Sequence, residues 1–384
     1  MISVLVLLNR YCKSGPDAGE SSRKFFRLKN GNAPFMIRKG QKPTIYDIAR
    51  ISGASPSTVS SVLNGTWQVR RIREETAQKI KDVAAANGYS INLQARGLRK
   101  ARSGLVGMIL PVHDNRFFSS LSQHFATEAR ARGLCPVIVS TRREPEEEVR
   151  SVESLISYAV ESLFIAGATD PETLSDLCHK SNLPHVFIDL PSDQSPSVVS
   201  DNAIGAEMLT RSILDKMPRH PDPLRALPYL IGGNARLYAS SRRIGAFRAL
   251  VTRELGSISD DQVIACGYVP ARAAEEMERL VDRLGGMPAG LFINSIPAFE
   301  GALSYLVRLP PAALAQTVIG CYDYDPFGAF LQFPVHMIRQ NSKELIRQAY
   351  SLLDSGDTGP VIKMVSPDLV QPRTILAGSL SEIG

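Results

Sequence analysis

No stretch of this chain approaches the roughly eighteen consecutive apolar residues that a membrane-spanning helix needs, so a spanning segment is not expected. The opening MISVLVLLNRYCKSG has an apolar run of about seven residues. It lacks the preceding positive region and the small-residue cleavage site of a secretory leader, and no leader is expected. Cysteine is scarce: five residues (Cys12, Cys135, Cys178, Cys266, Cys321), odd in number, widely spaced, with no CxxC pair and no Cys/His ligand spacing. That pattern speaks against a disulfide framework and a structural zinc site and suits a reducing cytoplasm. Tryptophan occurs once, as Trp67, and the six histidines are dispersed. Signatures of phosphate cradling, zinc hydrolysis and serine nucleophiles are missing: no GxxxxGK[ST], no GxGxxG after the first strand, no HExxH, no GxSxG. An enzyme, a cofactor and a catalytic metal are therefore not expected, and a nicotinamide enzyme is left as the weak enzymatic alternative.

Charge is distributed unevenly. Residues 1–102 carry 19 Lys+Arg against 6 Asp+Glu, net +13, and the remainder carries 25 against 32, net −7. A basic amino-terminal quarter suits a polyanion, and a mildly acidic remainder is better placed away from one. Residues 1–41 show no folded pattern and read as a disordered extension, or as the product of a start assigned too early, with Met36 the alternative start.

Between Thr44 and Asn64 the chain reads TIYDIARISGASPSTVSSVLN. Thr44 can cap a first helix while Asp47, three residues on, answers the cap's own amide. Ile45, Ile48, Ala49 and Ser52 recur at helical spacing, and Gly53 permits a sharp turn. Ser55 is a second N-cap, with Pro56 at the first helical position. Val59, Val62 and Leu63 are expected inside, with Ser57, Thr58, Ser60 and Ser61 on the outer face, able to reach base edges or phosphates. A third amphipathic segment from Glu74 to Tyr89 closes a small three-helix core, and Arg70, Arg71 and Arg73, with Arg96, Arg99, Lys100 and Arg102 further on, suit phosphate contacts. This is the pattern of a helix-turn-helix.

The segment resembles the headpiece of the lactose-repressor (LacI/GalR) family of bacterial transcriptional regulators, through Thr44, Asp47, Ile48, Ala49, Gly53, Ser55, Thr58, Val59, Ser60, Val62, Leu63 and Asn64 in order. Downstream, NGYSINLQARGLRK is similar to the family's third-helix end and hinge helix, with Gly88, Tyr89, Asn92, Ala95 and Leu98 at matching positions. The resemblance implies that Leu98 wedges between base pairs in the minor groove and kinks the duplex. Two departures stand out: Ile91 replaces the usual hinge proline, and the stretch Thr66 to Ile72 is about three residues longer than the common pattern. The expected DNA contacts are Thr44, Tyr46, Ser55, Pro56, Ser57, Thr58, Ser60, Ser61, Asn64, Arg70, Arg71, Asn92, Ala95 and Leu98.

From Leu105 onward short apolar runs (LVGMILP, PVIVST, SLFIAG, HVFIDL) alternate with amphipathic helical stretches, and YLIGG, VIACGY, GLFINS, TVIGCY and HMIRQ form a second set. Such alternation predicts parallel, doubly wound sheets. Two such units, with the chain crossing back near Gln340, resemble the bilobed sugar-binding core that the family shares with periplasmic binding proteins. The expected fold is thus α/β: an all-α helix-turn-helix headpiece (42–90), a hinge helix or linker (91–103) and a bilobed effector-binding and dimerisation core (104–384). Lobe 1 covers about 104–200 plus 339–367, and lobe 2 about 201–338 plus 368–384.

Ligands in open α/β sheets sit beyond the carboxyl ends of the strands. Asp189, Asn294, Asp323 and Gln340 close or follow strands, and Arg243 is expected to open a helix after the YLIGG loop. By resemblance these five fall where sugar hydroxyls are held, with Phe118 and Tyr268 as stacking faces for the ring. Asn294-Ser295 stands where the family usually has Asn-Asp, and Asp323 and Asp325 compete for one slot. His113 and Arg116 lie near the first strand end, as surface residues or as a handle for an anionic group. The expectation is a cytoplasmic regulator, a repressor by resemblance, acting as a homodimer or tetramer on a palindromic operator in double-stranded DNA and modulated by a sugar or sugar-like effector. A solute-binding protein of a transport system is the alternative for the core, and it has no use for the headpiece.

Overall fold

Thr44 and Asp47 close the first turn of the amino-terminal unit in the computed structural model, which describes residues 43–89 and 102–374. The chain divides into two compact units, one within residues 1–91 and the other within 92–384. The expectations for residues 1–41 and for Asn92, Ala95 and Leu98 concern positions outside the described residues.

In the first unit α1 (Ile45–Ser52), α2 (Pro56–Leu63) and α3 (Glu74–Ala86) pack around Ile48, Val59, Val62, Ala77 and Ile80, all essentially inaccessible to solvent. A core this small has little reserve, since truncating one buried Ile to Ala costs about 2–5 kcal/mol. Gly53 ends α1 with φ 72°, a left-handed conformation that a side chain would strain. The longer stretch between α2 and α3 turns back on itself, and Trp67 packs against the core with the Lys81 ammonium 5.7 Å from its ring. Val69, Arg70 and Arg71 are left exposed at its tip.

Among the described residues the second unit holds two sheets of six strands each. The first is ordered β11-β5-β4-β3-β1-β2, from β1 (Leu105–Leu110), β2 (Cys135–Ser140), β3 (Leu163–Ala166), β4 (His185–Ile188), β5 (Ser197–Ser200) and β11 (Ile362–Val365). The second is ordered β12-β10-β9-β8-β6-β7, from β6 (Pro228–Ile231), β7 (Val263–Ile264), β8 (Gly290–Ile293), β9 (Val318–Tyr322), β10 (Val335–Arg339) and β12 (Asp368–Val370). All pairs are parallel except β10 with β12. Strands β3, β4 and β8 are buried along their whole length, as continuous apolar runs covered on both faces require. The covering helices are α4 (Arg116–Ala131), α5 (Pro145–Ser157), α6 (Pro171–Lys180), α7 (Asn202–Leu214), α8 (Tyr238–Leu255), α9 (Pro270–Leu284), α10 (Ile296–Leu306), the short α11 (Pro311–Leu314) and α12 (Ser342–Ser355). Among the described residues no helix is long and apolar enough to cross a membrane.

The chain passes between the sheets three times: after Ser200, after Arg339 and after Val365. At the first two crossings the Ser200 hydroxyl donates to Gln340 Oε1 at 2.5 Å, stitching both lobes beside the hinge. Sequence reading missed β5, β11, β12, α7 and α12. The three strands are only three or four residues long, and β11 at its sheet edge is half exposed, so neither an apolar run nor strict alternation marks it. The expected strand VIACGY shrinks to Val263–Ile264, because the chain then turns through Gly267 (φ 89°) to bridge Gly233.

Candidate nucleic-acid interface and ligand cleft

Both helices of the amino-terminal hairpin are capped by their own side chains. The Thr44 hydroxyl and N–H donate to Asp47 Oδ2 at 2.6 and 2.9 Å, while Thr44 Oγ1 accepts from the Asp47 amide at 3.3 Å. These bonds hold the Asp47 carboxyl below its ordinary pKa. Ser55 Oγ accepts from the Thr58 amide at 3.1 Å and lies 2.8 Å from the hydroxyls of Ser57 and Thr58. Pro56 and Ser57 are exposed, Thr58 and Ser60 half-buried, and Tyr46 projects from α1 with 66% of its surface in solvent. Asn64 is tied back, its Nδ2 donating to the Ser60 carbonyl at 2.7 Å.

Ser61 departs from expectation. It is buried, and its hydroxyl donates to the Ser57 carbonyl at 2.9 Å. Helical spacing places it beside Val62 on the inner side, where a serine satisfies its own hydroxyl on the preceding turn. The outward hydroxyls are those of Ser57, Thr58 and Ser60.

In the second unit the strand-end rule gathers a polar cluster between the lobes. Asp189 follows β4, Asn294 follows β8, Asp323 follows β9 and Gln340 follows β10. All four are buried, and so is Arg243. Arg243 does not open its helix: α8 starts at Tyr238, and the arginine projects from the second turn. Its Nε donates to Asn202 Oδ1 and its Nη1 to the Asn294 carbonyl, both at 2.8 Å, while Nη1 lies 4.0 Å from Asp323 Oδ2. Burial opposes its charge. Asp323, the Tyr322 and Tyr268 phenols and Asp189 outweigh that and hold the guanidinium above its ordinary pKa. Gln340 Nε2 donates to Asp323 Oδ1 at 2.6 Å.

Asp189 and Asp323 have φ of 74° and 84°, left-handed values that aspartate seldom adopts, at the carboxyl ends of strands from opposite lobes. Strain of this kind persists where the surroundings over-determine it and concentrates at ligand sites. Burial pushes the Asp189 carboxyl above its ordinary pKa, against the pull of Arg243 and Arg143. Gly233 (φ 80°) lets the loop after β6 approach Asn294, whose side chain a Cβ there would meet at 2.7 Å. Among the described residues the buried Asn294 Nδ2 has no hydrogen-bond partner. The Tyr268 hydroxyl bonds Ser240 Oγ at 2.7 Å. Phe118 is buried in the first lobe, and the Arg143 guanidinium lies 5.8 Å from its ring and 5.7 Å from that of Tyr268, so both rings neighbour Arg143.

The competition between Asp323 and Asp325 is decided by packing. Asp323 enters the buried cluster, whereas Asp325 caps the turn Pro326–Phe330 and accepts from Arg116 Nε at 2.9 Å, joining the two lobes. Arg116 is therefore engaged, and His113 is exposed. Sequence reasoning missed Asn202, Arg143, Ser200, Ser240 and Tyr322. The strand-end rule, applied to the end of β2 and to the unrecognised β5, finds Arg143 and the pair Ser200 and Asn202.

Residues 44–92 match the family described as bacterial regulatory proteins, lacI family. The chain is 44% identical over 201 residues to a ribitol operon repressor from Klebsiella aerogenes, covering 52% of this chain and 74% of that protein. It is 29% identical over 324 residues to a sucrose operon repressor from Klebsiella pneumoniae, covering 82% and 92%. Among solved structures it is similar to the lac repressor dimer bound to operator and the anti-inducer ONPF (TM-score 0.72, 19% identity, 88% of this chain and 100% of that one). It is also similar to the Cra transcriptional dual regulator of Pseudomonas putida in complex with fructose 1-phosphate (TM-score 0.61, 23% identity, 70% and 98%). At these identities the structural likenesses speak for the fold.

Proposed function

The chain belongs to the lacI family of bacterial regulatory proteins, and we propose that it is a transcriptional repressor whose hold on a palindromic operator is set by a small polyhydroxy effector bound between its lobes. The observation that carries this reading is the coexistence in one chain of a doubly capped helix-turn-helix and a cluster of buried, partly unpartnered polar side chains at the strand ends of two lobes. One headpiece reads one half-site. A homodimer presents a pair of α2 helices to successive major grooves, with Ser57, Thr58 and Ser60 toward base edges and phosphates. Arg70 and Arg71 add phosphate contacts, and Leu98 in the hinge enters the minor groove.

The core senses. Arg243, Asp189, Asn294, Asp323 and Gln340 hold hydroxyls of the effector, Phe118 and Tyr268 flank it, and its binding shifts the lobes and hence the spacing of the headpieces. The names of the relatives, repressors of ribitol and sucrose operons, support a sugar or sugar alcohol as effector. Capture of genomic fragments by the full-length protein, with and without pools of sugars and sugar alcohols, tests the reading. Enrichment of a palindrome that one pool abolishes or strengthens supports it. Salt-sensitive attachment without sequence preference, unaltered by any pool, overturns it.

A further inference from the structure

We infer that Trp67 is a positioning residue for DNA: with Ile72 it fixes the base of an arm, Gln68 to Arg71, that sets two arginines against the phosphates bordering the major groove. The inference rests on the proposed phosphate contacts of Arg70 and Arg71 and adds what holds them in place.

The arm interrupts the connection between α2 and α3. Its two base residues, Trp67 and Ile72, both pack on the core formed by Ile48, Val59, Val62, Ala77 and Ile80. The Ile72 amide donates to the Trp67 carbonyl at 2.9 Å and closes the loop, and the Lys81 ammonium of α3 lies 5.7 Å from the indole ring. The approach to the arm is fixed as well, since the Thr66 amide donates to the Ser61 carbonyl at 2.9 Å. Within the arm the Arg70 amide donates to the Thr66 carbonyl at 3.1 Å and the Arg71 amide to the Gln68 carbonyl at 3.0 Å, with Arg71 in a left-handed conformation (φ 52°). The tip thus stands out from a closed, apolar base.

Gln68, Val69, Arg70 and Arg71 are all exposed, Val69 by 88%. Among the described residues no acidic side chain pairs with Arg70 or Arg71. Glu74 and Glu75 sit in the first turn of α3, where they answer the helix dipole. Helix α2 has eight residues and is about 12 Å long, and the major groove is about 12 Å wide. A helix that presents its amino-terminal residues to base edges therefore ends near the backbone at the groove's edge, where the arm begins. Arginines on a loose loop lose conformational freedom when they meet DNA. A loop already closed by Trp67 has given up that freedom on folding, and more of the contact energy appears as affinity.

The test is the salt dependence of duplex binding by the full-length protein, read by fluorescence anisotropy on a duplex of random sequence and on a palindrome recovered by genomic fragment capture. Arg70→Ala combined with Arg71→Ala is expected to reduce the slope of log K against log salt by about 2 per headpiece engaged. Trp67→Ala leaves both arginines in the chain, yet it is expected to reduce the slope by at least about 1 and to add little to the arginine variant. Trp67→Phe is expected to preserve the slope. Hydrogen exchange of the α1, α2 and α3 amides checks the fold; if Trp67→Ala loses protection there, Trp67→Leu replaces it with the same expectation. An unchanged slope in the folded Trp67 variant, beside a reduced slope in the arginine variant, overturns the inference and leaves the phosphate contacts intact. An unchanged slope in the arginine variant removes those contacts, and the inference falls with them.

Discussion

The Arg243 guanidinium is centred 3.7 Å from the centroid of the Tyr322 ring, and both side chains are buried. Tyr322 thus supports a cation whose other partners, Asn202, the Asn294 carbonyl and Asp323, come from three separate strand ends. Arg243→Ala leaves Asp323 without its cation and is expected to cost about 3–5 kcal/mol of core stability. Arg243→Lys keeps the charge but not the planar fork. It is expected to fold, to bind operator DNA normally and to lose most of the effector response; a normal response in a gel-shift titration would remove Arg243 from the ligand site.

Asp189 is buried against its preference for water, and the cost appears in its raised pKa. The folded state holds its proton more tightly than the unfolded chain does. The penalty is therefore present above the raised value and vanishes as the pH falls below about 3.8, the ordinary carboxyl value. Asp189→Asn should raise the thermal midpoint at neutral pH while weakening effector binding, a trade common at ligand sites. A lowered midpoint at neutral pH contradicts this account.

His336 has the opposite dependence. Burial and the neighbouring Lys216 push its imidazole down to about 4 from 6.5. Its Nδ1 lies 3.1 Å from Ser212 Oγ, and Lys216 Nζ lies 3.4 Å from Nε2, an arrangement that suits the neutral ring. Between those two values the unfolded chain binds more protons than the folded one. Stability is complete above about 6.5 and is lost as the pH falls toward 4, by up to about 3 kcal/mol. Thermal scans from pH 7 to 4 should show this slope, and His336→Gln should flatten it.

Ser55 secures the start of α2 through the Thr58 amide. Ser55→Ala is expected to destabilise the headpiece by about 1 kcal/mol, and Ser55→Asp to retain the cap. Hydrogen exchange of the α2 amides in the full-length protein is the measurement, and equal protection in the two variants counts against the capping role.

On the proposed role of Leu98 as a minor-groove wedge, Leu98→Ala should reduce affinity for the operator by about tenfold or more while leaving nonspecific DNA binding nearly unchanged. Equal losses on both DNAs exclude the wedge.

Caps, turns and alternation are written over three to five neighbouring residues, and for that reason Thr44 with Asp47, Ser55 with Pro56, Gly53 and most strands of both sheets could be read directly from the chain. The strand-end rule named Asp189, Asn294, Asp323 and Gln340 for the same reason. Arg143 and Asn202 escaped because the strands before them carried too little signal or were not searched.

Other features arise only from contacts between distant segments. Arg116 meets Asp325 across 209 residues, and Arg243 meets Asn202 across 41. Whether Asp323 or Asp325 enters the cleft, whether Ser61 faces in or out, and which carboxylate matches which guanidinium depend on the packing of two sheets and three helices. A hydrogen bond or ion pair is settled by distances of a few ångströms in space, and separation along the chain does not encode those distances.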